Sequence, residues 1–118
     1  MLEHYDIGIY IDRQVNNIGD LSCGLCVMAP GAELPLHKHL PVEIYQIAEG
    51  IGTMLFEDEE KVVWPHTSHF IKSHEWHGMR NDGEEVLKFF WTFPMKDWND
   101  IVYIWLSLIH ISEPTRPY

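Results

Sequence analysis

Positive charge is scarce in this chain of 118 residues: 8 Lys and Arg stand against 18 Asp and Glu, a formal charge of −10. A surface of that sign repels phosphate backbones and anionic headgroups, so neither nucleic acid nor a membrane surface is expected as a partner. Long apolar runs are missing as well. No stretch approaches the ~18 consecutive apolar residues that a membrane-spanning helix needs. The opening Met1-Leu2-Glu3-His4-Tyr5-Asp6 lacks the apolar centre of a secretion signal. Cysteine is limited to Cys23 and Cys26, and without a second Cys-x-x-Cys there is no paired-thiolate zinc site. These two lie in Ser22-Cys23-Gly24-Leu25-Cys26-Val27-Met28, which reads as a strand, so the thiols face opposite sides and no helix start lowers their pKa. Buried, reduced cysteines are expected, and with them a reducing, cytoplasmic compartment.

Amphipathic helical periodicity is also absent. The chain is 46% hydrophobic and 13% aromatic, enough for one folded core and not for two. It divides into short strand-like runs: Asp6 to Ile11, Gly24 to Met28, Thr53 to Glu57, Val62 to Trp64, His69 to Lys72, Trp76 to Arg80 and Glu85 to Phe93. Glu49-Gly50-Ile51-Gly52 reads as a hairpin connection, Glu57-Asp58-Glu59-Glu60 as a solvated hairpin tip and Asn81-Asp82-Gly83 as a turn. Strands at this spacing predict an all-β sandwich or barrel, with Met54, Phe89, Trp91 and Phe93 filling it.

The chemistry is concentrated between Gly31 and Gly50. There, His37 and His39 stand one residue apart and Glu43 follows four further on. Side chains of a strand alternate faces, so His37 and His39 point the same way, as do Glu43 and Tyr45. Two imidazoles and a carboxylate on one face suit one divalent transition metal: Fe, Mn, Ni, Co, Cu or Zn. Tyr45 is a candidate proton or hydrogen-bond donor, with core packing as its alternative role.

The spacing of Gly31, His37, His39, Glu43 and Gly50 resembles the first motif of the cupin superfamily at every defined position. A second cupin motif is expected downstream, and His77-Gly78-Met79-Arg80-Asn81 supplies its histidine and asparagine. Where that motif usually has glycine, proline and glycine, this chain has His66, Lys72 and His74, so the backbone of that connection is not predictable from the resemblance. The resemblance implies a double-stranded β-helix, or jelly-roll, barrel and adds His77 as the fourth ligand beside His37, His39 and Glu43. His69 and His74, close to His77 in sequence, are assigned to surface or turn positions, with contact to the substrate pocket as the alternative.

Cupins host dioxygenases, isomerases, lyases and ligand sensors, so the fold does not give the reaction. The resemblance implies a metal-dependent enzyme on a small polar organic substrate, of dioxygenase or isomerase/lyase type, with Glu43 and Tyr45 as catalytic candidates. The alternative is a sugar- or small-molecule-binding module without catalysis. A homodimer is expected, with Asp6 to Ile11 and Glu85 to Phe93 as contact strands. The end of the chain, from Leu106 through Ile109-His110-Ile111-Ser112-Glu113-Pro114-Thr115-Arg116-Pro117, resembles a translated sequencing-library adapter. The expected organisation is one domain over residues 1–105 followed by a non-native tail over 106–118.

Overall fold

A computed structural model describes residues 5–7, 21–95 and 101–107. Ten strands are present among them: β1 (Tyr5–Ile7), β2 (Ser22–Met28), β3 (Glu33–Lys38), β4 (Glu43–Glu49), β5 (Gly52–Phe56), β6 (Glu60–Val63), β7 (Ser68–Ile71), β8 (His77–Arg80), β9 (Leu87–Phe93) and β10 (Ile104–Trp105). They form two five-stranded antiparallel sheets, in the orders β1-β2-β9-β4-β7 and β10-β3-β8-β5-β6. This is the all-β jelly-roll barrel expected from the sequence. Residues 8–11 of the first expected strand and residues 108–118 of the adapter-like tail lie outside the described residues. No described helix is long and apolar enough to cross a membrane.

Alternation places the core. Along β9, Leu87, Phe89, Trp91 and Phe93 point inward, while Lys88, Phe90 and Thr92 face outward. In β4 the inward set is Glu43, Tyr45 and Ile47, so the same beat that buries an isoleucine buries a carboxylate. Met28, Met54, Ile71, Met79 and Leu87 fill the space between the sheets, with Cys26 among them. Cys26 is buried and Cys23 half-buried, on opposite faces, and neither is joined in a disulfide.

Two expectations are corrected by the topology. Glu49 to Gly52 does not close a hairpin, because β4 pairs with β7 and β9 whereas β5 pairs with β6 and β8. That segment is a corner between the sheets. Gly50 makes it at φ +83°, where a β-carbon would strike the Val86 carbonyl. The strand from Glu85 to Phe93, expected as a barrel edge available to a second copy, is not an edge: β9 lies between β2 and β4 with its backbone already paired. Its length and aromatic content came from being central and buried, which the sequence pattern alone does not separate from an edge.

Candidate metal centre

His37 and His77 are direct cross-strand partners on β3 and β8, with ring centroids 4.2 Å apart. A bulge makes this alignment. Leu34 opposes Met79 and His37 opposes His77, so three steps along β3 match two along β8. Gly78 permits it, since a β-carbon there would strike the Leu34 carbonyl. His39 lies just past the end of β3, and Glu43 opens β4 in the opposite sheet. The four residues therefore meet across the gap between the sheets, at one end of the barrel. All are buried, with none more than 4% exposed.

Each imidazole is oriented by the backbone. The Nδ1–H of His37 donates to the Pro35 carbonyl at 2.8 Å, that of His39 to the Pro41 carbonyl at 2.9 Å, and that of His77 to the Glu75 carbonyl at 2.8 Å. A carbonyl oxygen can only accept, so each Nδ1 carries the hydrogen and each neutral ring keeps its lone pair on Nε2. The Glu43 Oε1 atom stands 3.0 Å from the His39 Nε2 and 3.2 Å from the His77 Nε2. In the neutral form of both rings the Nε2 lone pairs face the Glu43 oxygen in a buried site, an arrangement that needs a proton or a metal cation between them. The donor atoms of His37, His39 and His77 lie within 4.8 Å of one another, and these three imidazoles can hold a metal ion. The His37 pKa is lowered well below 6.5, first because burial removes water from the charged form and then because His77 is adjacent. His37 is accordingly a neutral ring at physiological pH, the form a metal requires.

Tyr45 sits behind this group. Its ring is 5.8 Å from that of His77 and 4.6 Å from that of Phe89, and it is 2% exposed. Burial and then the nearby Glu43 raise its pKa well above 10, so the phenol keeps its proton. His69 and His74 do not join the four. The His69 Nε2–H donates to the Thr67 hydroxyl at 2.8 Å, and that hydroxyl donates to the Trp64 carbonyl at 2.6 Å. His74 is exposed in a groove of about 510 Å³ beside the acidic turn Glu57-Asp58-Glu59, and its backbone N–H donates to the His39 carbonyl. Asn81 is a structural pin: its Nδ2 donates to the Met28 and Glu85 carbonyls, and its Oδ1 accepts the Gly83 N–H.

The sequence reading missed two aromatic residues. Trp105 is the cross-strand partner of His37, with rings 4.8 Å apart, and Tyr103 lies 5.9 Å from His37 and 5.5 Å from His39. The run Ile101-Val102-Tyr103-Ile104-Trp105 carried the signal, being β-branched and aromatic throughout.

A family model described as a cupin domain matches residues 24–93. The chain belongs to the cupin family. Its architecture is similar to that of the DMSP lyase DddQ from Ruegeria pomeroyi, with a TM-score of 0.66 and 20% identity over 76% of this chain and 45% of the lyase. A predicted oxalate decarboxylase from Thermotoga maritima matches with a TM-score of 0.60 and 27% identity, over 63% of this chain and 65% of that protein. An oxalate oxidase in complex with glycolate matches with a TM-score of 0.67 and 18% identity, over 80% of this chain and 50% of the oxidase. This cupin therefore spans between 45% and 65% of the length of those three proteins. Comparison with curated protein sequences finds no match.

Proposed function

We propose that this cupin is a metal-dependent enzyme acting on a small polar organic substrate, with His37, His39, His77 and Glu43 holding one divalent transition metal. The observation that carries the reading is the orientation of the three rings, each fixed through Nδ1 so that Nε2 is left for a cation. Glu43 fits the same ion. Two donors each about 2.1 Å from one metal and at right angles lie about 3.0 Å apart, against separations of 3.0 and 3.2 Å here. A divalent ion in this site supplies a Lewis acid for a carbonyl or carboxylate or, as iron, a redox centre for chemistry with O₂.

The protein's own groups set the rest. Among the described residues no Lys or Arg is buried, so a substrate carboxylate entering the site has the cation as its counter-charge. That suits the small carboxylates named for two of the structural relatives, the oxalate decarboxylase and the oxalate oxidase. Tyr45, held protonated, is assigned as hydrogen-bond or proton donor, and Glu43 as the carboxylate that can take a proton during turnover. A reducing compartment, the cytoplasm, is proposed, supported by two cysteines that form no disulfide. Two copies are proposed to pair, with β1, at the edge of its sheet among the described residues, as a contact strand. A clean monomer in sedimentation at micromolar concentration would remove that assembly.

Elemental analysis of the purified protein, combined with oxygen uptake against β-dicarbonyls, catechols, thiols and sugar acids, tests the functional reading. Bound iron with oxygen uptake selects a dioxygenase. Turnover without oxygen on Mn, Ni or Zn selects an isomerase or lyase. Absence of both metal and turnover refutes the proposal and leaves a small-molecule-binding module.

A further inference from the structure

Two of the three imidazoles are covered by a segment that neither motif contains. His37 and His39 are 3% and 1% exposed, although both lie at an end of the barrel. On one side the cover comes from residues 101–105. Ile101 is 7% exposed within the core, Val102 turns outward at 75% exposure, and Tyr103 and Trp105 turn back over the rings. Trp105 lies over His37 at an interplanar angle of 37°, whereas Tyr103 meets His39 edge-on at 88°. The segment is fastened at its other end by β10, which pairs with β3 through Ile104↔Lys38 and Trp105↔His37 and forms the outer edge of its sheet.

We propose that residues 101–105 form a strap over the metal centre, with Trp105 and Tyr103 as positioning residues that cover His37 and His39 and govern passage to and from the ion. The inference rests on the metal reading above. A buried anchor at Ile101 and a two-residue ladder at a sheet edge allow the strap to open locally while the paired strands behind it stay formed. Among the described residues, the other ring contacts to the ligands come from central strands. Phe93 of β9 meets His39 edge-on at 5.0 Å, and Tyr45 of β4 backs His77, so neither side can move without breaking long ladders. The strap is thus the wall of least resistance, and the side from which a ligand or a chelator arrives.

The test uses the full chain loaded with Co²⁺, whose visible absorbance reports occupancy, and measures stripping by excess EDTA. Wild type should hold one Co²⁺ per chain and release it slowly. Trp105→Ala should hold the same stoichiometry and release it faster by about tenfold or more. Trp105→Phe should return the rate towards wild type, because an aromatic face again covers His37. Urea midpoints of the variants separate uncovering from general destabilisation. Trp105→Leu, which keeps an apolar residue in the ladder, replaces the alanine variant where that does not fold, and should also strip faster. Stripping of Trp105→Ala or Trp105→Leu at the wild-type rate overturns the strap while leaving the metal site standing. Failure of wild type to bind Co²⁺ overturns the metal reading, and the strap with it.

Discussion

The two motif regions reach the same backbone geometry by different chemical routes. In the first, Gly31 and Gly50 sit at φ +86° and +83°; in the second, His66 and His74 sit at φ +71° and +61°. The left-handed region disfavours a β-carbon by roughly 1–2 kcal/mol, so glycine is the expected occupant of all four. The second region keeps the turns although both glycines are replaced by histidine. Glycine is therefore needed for two separable reasons. Gly50 is needed for space, since its β-carbon would meet the Val86 carbonyl, whereas Gly31 has nothing within 4 Å. His66 and His74 bear only the conformational cost, which histidine tolerates better than most residues.

The sharpest test of equivalence between the regions is metal binding. The first supplies three proposed ligands and the second supplies one, yet His77 has the same Nδ1–carbonyl anchor as the others. Replacing His37, His39 or His77 with Ala should each abolish most metal binding, with affinity falling by about a hundredfold or more. Glu43→Gln should weaken binding less, because it removes the ligand charge and keeps an oxygen donor. Titration with Zn²⁺ or Co²⁺ measures all four. Unchanged metal content in the His37→Ala/His39→Ala double variant would refute the site, and an unaffected His77→Ala would exclude the second region from it.

Steric need comes next in size. Gly50→Ala should destabilise by about 3 kcal/mol, adding a clash with fixed backbone to the cost of positive φ. Gly31→Ala should lose about 1 kcal/mol from conformation alone. Equal urea midpoints for the two variants would show that the corner at Gly50 relaxes freely. In the second region the corresponding fixed point is Asn81, fully buried and tied to Met28, Glu85 and Gly83. Asn81→Ala strands three backbone groups and should lose about 2–3 kcal/mol, with metal stoichiometry preserved.

How much of this was legible from the sequence depended on whether side chains or main chain did the work. The His37–His39 pair was readable because strand alternation maps a spacing of two onto one face, and the structure groups these two rings with His77, while the Glu43 Oε1 stands 3.0 Å from the His39 Nε2. The acceptors on Pro35, Pro41 and Glu75 were not readable, because a carbonyl is common to every residue and only the path of the chain selects it. Pro35 is placed by the bulge that aligns His37 with His77, a register feature with no side-chain signature. The Gly50 corner was read as a hairpin because a tight turn within a sheet and a step between sheets both need positive φ. The strap was missed because two residue pairs of β10 give no periodicity to count, although its aromatic run was visible.

Acidification separates burial from backbone strain as sources of instability. The folded-state pKa of His37 lies below its ordinary 6.5, chiefly through burial and then through His77. Its contribution is therefore fully present above pH 6.5 and is lost as pH falls from 6.5 towards the depressed folded value, because the unfolded chain takes up a proton that the folded chain refuses. Metal-free protein should lose up to about 1.4 kcal/mol per pH unit from this one group in that window. Urea unfolding at steps from pH 7.5 to pH 5 should show the slope, and His37→Gln should flatten it. A slope identical in wild type and His37→Gln would mean that another group carries the acid sensitivity.

The smallest expected effect runs in the stabilising direction and bears most directly on the two routes to one turn. His66 and His74 hold left-handed conformations while their side chains are exposed, so each carries the conformational cost with little packing to offset it. Glycine at either position removes that cost but adds entropy to the unfolded chain, an opposing effect of about 0.4–1 kcal/mol. His66→Gly and His74→Gly should therefore each stabilise by at most about 1 kcal/mol, read as a small rise in urea midpoint at unchanged slope. The backbone N–H groups of both residues stay bonded, to the Ile47 and His39 carbonyls, so the turns themselves persist. A fall in midpoint for His74→Gly alone would show that its imidazole gains something from the acidic groove beside it. A fall for both would mean that these histidines hold their loops by contacts stronger than the strain they carry, and the two regions would then differ in more than the route to a turn.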